Sequence, residues 1–254
     1  MLAVQSTPHF IINVIGSPPQ LDFRGCLWQT ACDLQRLGGP PLPTEDLVSK
    51  SFHDSYRLQM LKSPNFGHDD MPGKQWWEEA VRSTFLHTGM LPYFYDSFDE
   101  IYGEAFDGSR GVEGGGFWKR NEGAVEALAS VAGRGVTVGV ISNSDSRYHA
   151  LLTNLGLAEH IDFVHVSGET GWKKPEEYAF HTAIEAASEL RGESVLASEA
   201  VHVGMSASGD VLGALEAGWD AVYCGDAEMA IDGVVALPRR QIAGLGAALG
   251  LPAD

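Results

Sequence analysis

The sequence predicts an α/β protein in which a parallel sheet is interrupted, after its first strand, by an all-helical insertion. From Gly116 onward, short apolar runs alternate with helical patterns, which is typical of a parallel sheet covered by helices on both faces. Between Leu21 and Phe106 helical periodicity prevails and strand patterns are absent from the sequence. The third observation is the run Val136–Ser144, in which a β-branched strand ends in a polar Ser-Asn-Ser turn.

The first predicted strand is Phe10–Ile15, an apolar run that contains one polar residue, Asn13. The following segment, Gly16–Pro19, favours a turn because a glycine and two prolines do not continue a strand or a helix. Asn13 is therefore expected near the carboxyl end of a buried strand.

The insertion, residues 21–106, is predicted to be helical. Its first helix has apolar residues on one side from Leu27 to Leu37, and Gly38–Pro41 ends it. Thr44 is a candidate N-cap for a helix that runs towards Leu61. The remaining predicted elements are a loop at Ser63–Gly73 and helices at Gln75–His87 and Ser97–Phe106.

The rest of the chain alternates between strands and helices. The predicted helices are Gly123–Arg134, Ser146–Leu155, Glu177–Ser188 and Asp210–Ala217, and the predicted strands are Val136–Ile141, Phe163–Val166, Ala200–Val203, Asp220–Cys224 and Val234–Ala236. In open α/β sheets, ligands bind beyond the carboxyl ends of the strands. The candidate site residues are therefore Asn13, Ser142, Lys174 and the segment Gly204–Asp210.

Composition narrows the function classes. The formal net charge of −17 disfavours nucleic-acid backbones and anionic membranes as partners. The cysteines, Cys26, Cys32 and Cys224, have neither the number nor the spacing of a disulfide framework or a zinc site. No apolar run approaches about 18 residues, and the start of the chain does not resemble a secretory signal. We therefore expect no membrane insertion and an intracellular location, in the cytoplasm or nucleus, with an organelle matrix as the alternative.

Three motifs, in order along the chain, resemble those of the haloacid dehalogenase-like hydrolase superfamily. Val140–Asn143 resembles the second motif of the family, and Gly171–Pro175 resembles the third. His202–Gly204, followed by Asp210, resembles the fourth. Each motif alone is a weak signal, whereas the ordered set is specific.

The match is best with a branch of the superfamily that carries a helical cap. Pro64–Gly67 and the Gln75-Trp76-Trp77 segment look like parts of that cap. The resemblance implies a Rossmann-like core (HAD-like) formed by residues 1–20 and 107–254, with residues 21–106 as the inserted cap.

The chemistry of this family needs several charged groups. An Asp at the end of the first strand attacks phosphorus, and a second Asp two residues on transfers protons. A Ser or Thr and a Lys hold the phosphoryl oxygens, and Mg²⁺ takes carboxylate oxygens from the nucleophile and from the fourth motif. Ser142, Lys174 and Asp210 match this pattern, and Ser17 stands where the family usually has Thr.

At three positions the sequence departs from the family pattern. Asn13 stands at the position of the nucleophile, and a neutral amide does not form an acyl-phosphate. Ile15 stands at the acid/base position and transfers no proton. Met205 stands at the first acidic position of the fourth motif, where its thioether is a poor ligand for Mg²⁺. The resemblance therefore implies a catalytically inactive protein with a lost Mg²⁺ site and no cofactor.

We interpret the chain as a pseudophosphatase that acts as a binding or assembly subunit, with a protein partner and in a larger complex. Two alternatives stay open: a weak phosphohydrolase with an altered active site, and a small-anion sensor in which Ser142, Asn143 and Lys174 hold a phosphate-like anion. Capping of the following helix explains Ser142–Ser144 equally well. Lys174 is expected to pair with Asp210, because an unpaired buried charge is costly.

Overall fold

The computed structural model describes residues 9–12, 32, 41, 43–104, 120, 122–132, 134–225, 231, 233–237, 241 and 245–249. The predicted site positions Asn13, Ile15 and Ser17 and nearly all of the predicted helix Leu27–Leu37 lie outside these residues.

The described strands form one parallel sheet, which confirms the predicted fold class. Its strands are β1 (His9–Ile12), β2 (Gly139–Ser142), β3 (Phe163–Val166), β4 (Ala200–Gly204), β5 (Asp220–Tyr223) and β6 (Val235–Ala236). Their spatial order is β3-β2-β1-β4-β5-β6, and every neighbouring pair is parallel. Strand β1 lies between β2 and β4, so the carboxyl ends of these three strands lie next to each other in the middle of the sheet.

Strand β2 begins later than the sequence predicts, at Gly139 rather than at Val136. The backbone N–H of Val138 donates to a carboxylate oxygen of Asp162 at 2.7 Å, and the Val138 carbonyl accepts from the Asp162 N–H at 2.7 Å. Val138 is therefore bonded to the loop before β3, outside the ladder of the sheet.

Residues 43–104, which we call the helical region, contain four helices. They are α1 (Glu45–Lys62), α2 (Pro64–Gly67), α3 (Gly73–His87) and α4 (Phe94–Glu104), with a 3₁₀ turn at Leu91–Tyr93. The Thr44 hydroxyl accepts from the N–H of Leu47 at 3.2 Å, which is the expected N-cap of α1. Two predictions were wrong in detail: the loop after α1 contains the turn α2, and the last helix begins at Phe94 instead of Ser97.

The remaining helices alternate with the strands. They are α5 (Ala124–Ala132), α6 (Tyr148–Asn154), α7 (Ser167–Thr170), α8 (Glu177–Arg191), α9 (Gly213–Glu216) and α10 (Leu245–Ala248). A π-helix, Ala207–Leu212, leads into α9, so the helix predicted from Asp210 begins three residues earlier. The Ser206 hydroxyl caps it by accepting from the N–H of Gly209, and the N–H of Val211 reaches back to the Ser206 carbonyl.

The core has two parts, one on each face of the sheet. Val140 packs into the larger part and Ile141 into the smaller one, because successive side chains of a strand point to opposite faces. The larger part includes the fully buried Trp76 and Trp77 of α3, and it therefore continues from the sheet into the helical region. No helix in the described part of the chain is long and apolar enough to span a membrane.

Candidate functional site

The ends of β2 and β4, the segment after β4 and the loop between α7 and α8 bring the predicted site residues together at one edge of the sheet. Ser142 is the last residue of β2, and Gly204 is the last residue of β4. Lys174 and Asp210 lie beside these strand ends and are both buried. These residues therefore lie at the carboxyl ends of the strands, which is where a substrate of an α/β protein would bind, and their side chains are buried there.

Lys174 and Asp210 form a buried ion pair. The Lys174 Nζ lies 2.6 Å from Oδ1 of Asp210, and the two side chains are 6% and 3% exposed. His202, two residues before the end of β4, places Nε2 3.1 Å from the same oxygen. Lys174 and His202, which lie in different segments of the chain, thus both contact Oδ1 of Asp210.

The second oxygen of Asp210 is bonded to the backbone. Oδ2 accepts from the N–H groups of Met205, at 3.0 Å, and Ser206, at 2.8 Å. A carboxylate offers about four acceptor positions. The Asp210 carboxylate therefore has a protein donor for each of these positions.

The charges of the site are set by this arrangement. Burial raises the pKa of Asp210, but the Lys174 ammonium and the His202 imidazole lower it more. The pKa of Asp210 therefore lies well below its ordinary value of 3.8. Burial, reinforced by the Lys174 charge, lowers the pKa of His202 below 6.5, so its imidazole is neutral at neutral pH. Nε2–H then donates to Asp210, and Nδ1 is buried with no hydrogen-bond partner among the described residues.

The groups expected to hold an anion also have partners inside the protein. The Asn143 amide donates to the Lys174 carbonyl at 2.9 Å, and its oxygen accepts from the Lys174 N–H at 2.7 Å. Burial raises the pKa of the Tyr148 phenol, and a hydrogen bond with Ser142 acts in the opposite direction. Asn143 therefore fixes the main chain of the Lys174 loop, and the side chain of Ser142 contacts a buried tyrosine.

The described residues do not fit a magnesium site. Met205 presents a thioether at the position where the resemblance expects a carboxylate, and the oxygens of Asp210 already accept four hydrogen bonds or ion pairs. No three of the described His, Cys, Asp and Glu side chains form a group that would hold a metal ion. Asn13 and Ile15 lie outside the described residues, so the loss of the nucleophile and of the site as a whole stays a prediction.

Sequence reasoning placed His202 in the fourth motif without giving it a role, and it missed Tyr148. A signal for His202 was present, because it is the one ionisable residue in the otherwise apolar strand Ala200–Val203. Tyr148 opens α6 and is 1% exposed, but nothing in its local sequence indicates that its hydroxyl points to Ser142.

Gly204 is required by the close approach of Asp210. A Cβ at this position would overlap with the side chain of Asp210, which four contacts hold in place. We expect Gly204→Ala to lower the free energy of unfolding by about 2–3 kcal/mol, as overpacking of a core typically does. Urea denaturation followed by circular dichroism measures the change.

Gly103 provides the matched control. It lies in α4, and outside its chain neighbours and the backbone of its own helix no described atom lies within 4 Å of the position that a Cβ would take. Gly103→Ala should raise stability by up to about 1 kcal/mol, because alanine favours a helix over glycine. Equal effects of the two substitutions would contradict the tight contact at Gly204.

Comparisons with known proteins identify the type of domain. A family profile described as haloacid dehalogenase-like hydrolase matches residues 29–218. The bovine (Bos taurus) haloacid dehalogenase-like hydrolase domain-containing protein 3 is 30% identical over 174 residues, which are 67% of this chain and 64% of the relative. The mouse (Mus musculus) protein of the same name is 32% identical over 64% of this chain and 61% of the relative. The match thus spans less than two thirds of the length of these relatives.

Three further likenesses extend over more of the chain. The rhythmically expressed gene 2 protein of Drosophila melanogaster is 28% identical over 77% of this chain and 71% of that protein. A HAD phosphatase from Thermococcus onnurineus superposes with a TM-score of 0.61 at 18% identity, covering 96% of this chain and 98% of the other. A 2-haloacid dehalogenase from Pseudomonas syringae pv. tomato DC3000 superposes with a TM-score of 0.63 at 19% identity, again over 96% and 98%. At these identities the solved structures show a shared fold.

Proposed function

The chain belongs to the haloacid dehalogenase-like hydrolase family, and from this premise we propose that it is a member that no longer hydrolyses phosphate esters and acts by binding a partner protein. The observation that carries the proposal is the segment Gly204–Asp210, where the Met205 thioether stands at the metal-ligand position and the two oxygens of Asp210 are occupied by Lys174, His202 and two backbone N–H groups. No acceptor of this carboxylate is left for a metal ion or for a metal-bound water.

The sequence supports the same conclusion at the other catalytic positions. Asn13 has an amide where the family has its nucleophile, Ile15 has a hydrocarbon at the acid/base position, and Met205 has a thioether in place of a metal ligand. Loss of a catalytic nucleophile alone typically removes several orders of magnitude in rate.

The internal bonds of the site also argue against the anion sensor. A phosphate bound at Ser142 and Lys174 would compete with Asp210 for the Lys174 ammonium, across an ion pair of 2.6 Å that is almost fully buried. The buried Asp210 carboxylate would also repel the charge of the phosphate. We therefore favour a binding role of the surface over the anion sensor.

A binding role is supported by apolar surface outside the site. Leu47, Leu58 and Leu61 of the helical region are exposed and line one groove. Contiguous exposed apolar surface of this kind marks interaction sites on soluble proteins.

The proposal predicts that wild-type protein does not hydrolyse p-nitrophenyl phosphate in the presence of Mg²⁺ above the rate without protein. Release of nitrophenolate, followed by absorbance, measures this. Mg²⁺ should raise the melting temperature of the variant Asn13→Asp/Met205→Asp but not that of the wild type, because a ligand that binds only the folded state stabilises it. This measurement does not depend on turnover.

Ser142→Ala and Lys174→Ala serve as the controls for contaminating phosphatases. Wild-type turnover that disappears in either variant would contradict the proposal and favour the altered phosphohydrolase. Thermal stabilisation of the wild type by inorganic phosphate, lost in Ser142→Ala, would favour the anion sensor.

A further inference from the structure

The outer side of α1 carries a groove that the site does not use. The groove has a volume of about 580 Å³ and lies between α1 and the end of α3, at His87. Its apolar lining is Leu47, Leu58 and Leu61, which are 42%, 60% and 78% exposed. We call this feature the leucine groove.

The leucine groove follows one face of α1. Its lining residues Leu47, Ser51, Asp54, Leu58 and Leu61 recur at spacings of three and four, which place them on one side of a helix. The adjacent side of α1, which carries Val48 and Phe52, is buried in the protein core. Helix α1 therefore has three exposed leucines, Leu47, Leu58 and Leu61, on a second side that no described element covers.

The rim of the leucine groove is basic. Lys50, Arg57 and His87 surround the leucines, and Asp54 is the one acidic residue of the lining. Asp54 pairs with Lys50 at 2.7 Å, so these two charges cancel and Arg57 supplies the net positive charge of the lining. The groove is thus a locally positive surface in a chain whose formal net charge is −17.

We propose that the leucine groove binds an acidic amphipathic helix of a partner protein. The apolar side chains of that helix would lie on Leu47, Leu58 and Leu61, and its carboxylates would face Lys50 and Arg57, a helix-in-groove mode of recognition. The 18 residues of α1 extend over about 27 Å, which is the length of about five turns of a bound helix. This inference rests on the proposed function, because it names the partner of the binding role.

Charge decides between this occupant and a second copy of the chain. Two copies that met through this surface would bring two basic rims together between bodies that each carry a net charge of −17. Like charges placed opposite each other across an interface disfavour association. An acidic helix instead brings charge of the opposite sign to the rim, so the repulsion between two rims is absent.

The test uses synthetic helical peptides and the full chain. One peptide of about 15 residues has leucines on one face and glutamates beside them, and its counterpart has lysines in place of the glutamates. Fluorescence anisotropy should show saturable binding of the glutamate peptide and binding of the lysine peptide that is at least about fivefold weaker. Leu58→Glu should weaken binding of the glutamate peptide by about tenfold or more, since it removes the apolar contact.

Matched variants distinguish binding at the leucine groove from non-specific binding to exposed apolar side chains. Leu190→Glu replaces a leucine of α8 that is 58% exposed, against 60% for Leu58, and should leave the affinity unchanged. Arg57→Glu should reverse the preference, so that the lysine peptide binds more tightly than the glutamate peptide. Equal binding of both peptides, binding unaffected by Leu58→Glu, or no binding would overturn the inference, as would a concentration-dependent dimer that Leu58→Glu dissociates. None of these readouts involves phosphate hydrolysis, so the two proposals fail separately.

Discussion

Lys174→Met should lower the free energy of unfolding by roughly 3–5 kcal/mol, because the substitution leaves the buried Asp210 carboxylate without its cation. In the variant, burial still lowers the pKa of His202, whereas the Lys174 charge that also lowers it is removed. Methionine keeps most of the length and apolar contact of the lysine stem, so the effect measures the charge rather than a cavity. Urea denaturation at neutral pH gives the difference in free energy.

The chain contains a matched lysine on its surface. Lys50 pairs with Asp54 at 2.7 Å, almost the same distance as in the Lys174–Asp210 pair. The side chains of Lys50 and Asp54, however, both face solvent. Lys50→Met should leave the denaturation midpoint close to that of the wild type, because exposed ion pairs contribute little. The double variant Lys174→Met/Asp210→Asn should be more stable than Lys174→Met alone, since it removes the unpaired charge as well.

The pH dependence of unfolding reports on the same pair. The pKa of Asp210 is lowered in the folded state below its ordinary value of 3.8. A group of this kind contributes stability that is fully present above the unfolded pKa and is lost as the pH falls below it. In Lys174→Met the folded pKa of Asp210 should rise, so this contribution becomes smaller and the acid limb of the stability curve flattens. An unchanged acid limb in that variant, together with an unchanged midpoint, would show that Lys174 does not stabilise the carboxylate.

The parallel sheet was predictable because its strands are short apolar runs closed by turn residues. Residue-level boundaries were not: the start of β2 depends on Asp162, which bonds to Val138 across 24 positions of sequence. The candidate site shows the same division. The strand ends and motif spacing indicate Ser142, Lys174 and Asp210, whereas the occupied state of Asp210 depends on His202 and on N–H groups that the π-helix orients. Such contacts arise from tertiary packing, which local patterns do not encode.

A second buried cluster joins the helical region to the sheet. The Trp77 Nε1 of α3 donates to Asp145, in the loop after β2, at 2.5 Å. Asp145 pairs with Arg147 at 2.7 Å, and Arg147 donates to the carbonyl of Tyr102 in α4 at 2.9 Å. The Arg147 guanidinium also lies 3.9 Å from the centre of the Tyr102 ring and 5.2 Å from that of Trp77. These contacts place two residues of the loop after β2 between two helices of the helical region.

Trp77→Ala should therefore lower the free energy of unfolding by about 3–5 kcal/mol, because it opens a cavity in the core and removes a donor from the buried Asp145. Trp77→Phe keeps most of the volume and should lower it by about 1–2 kcal/mol, the part that belongs to the hydrogen bond. Trp172→Ala is the control, because Trp172 is an exposed tryptophan that stacks on Tyr178 and should change stability much less. Hydrogen exchange should show faster exchange in α3 and in the loop after β2 together in Trp77→Ala. Faster exchange confined to α3, with the loop unchanged, would mean that Trp77 stabilises its own helix without coupling the helical region to the sheet.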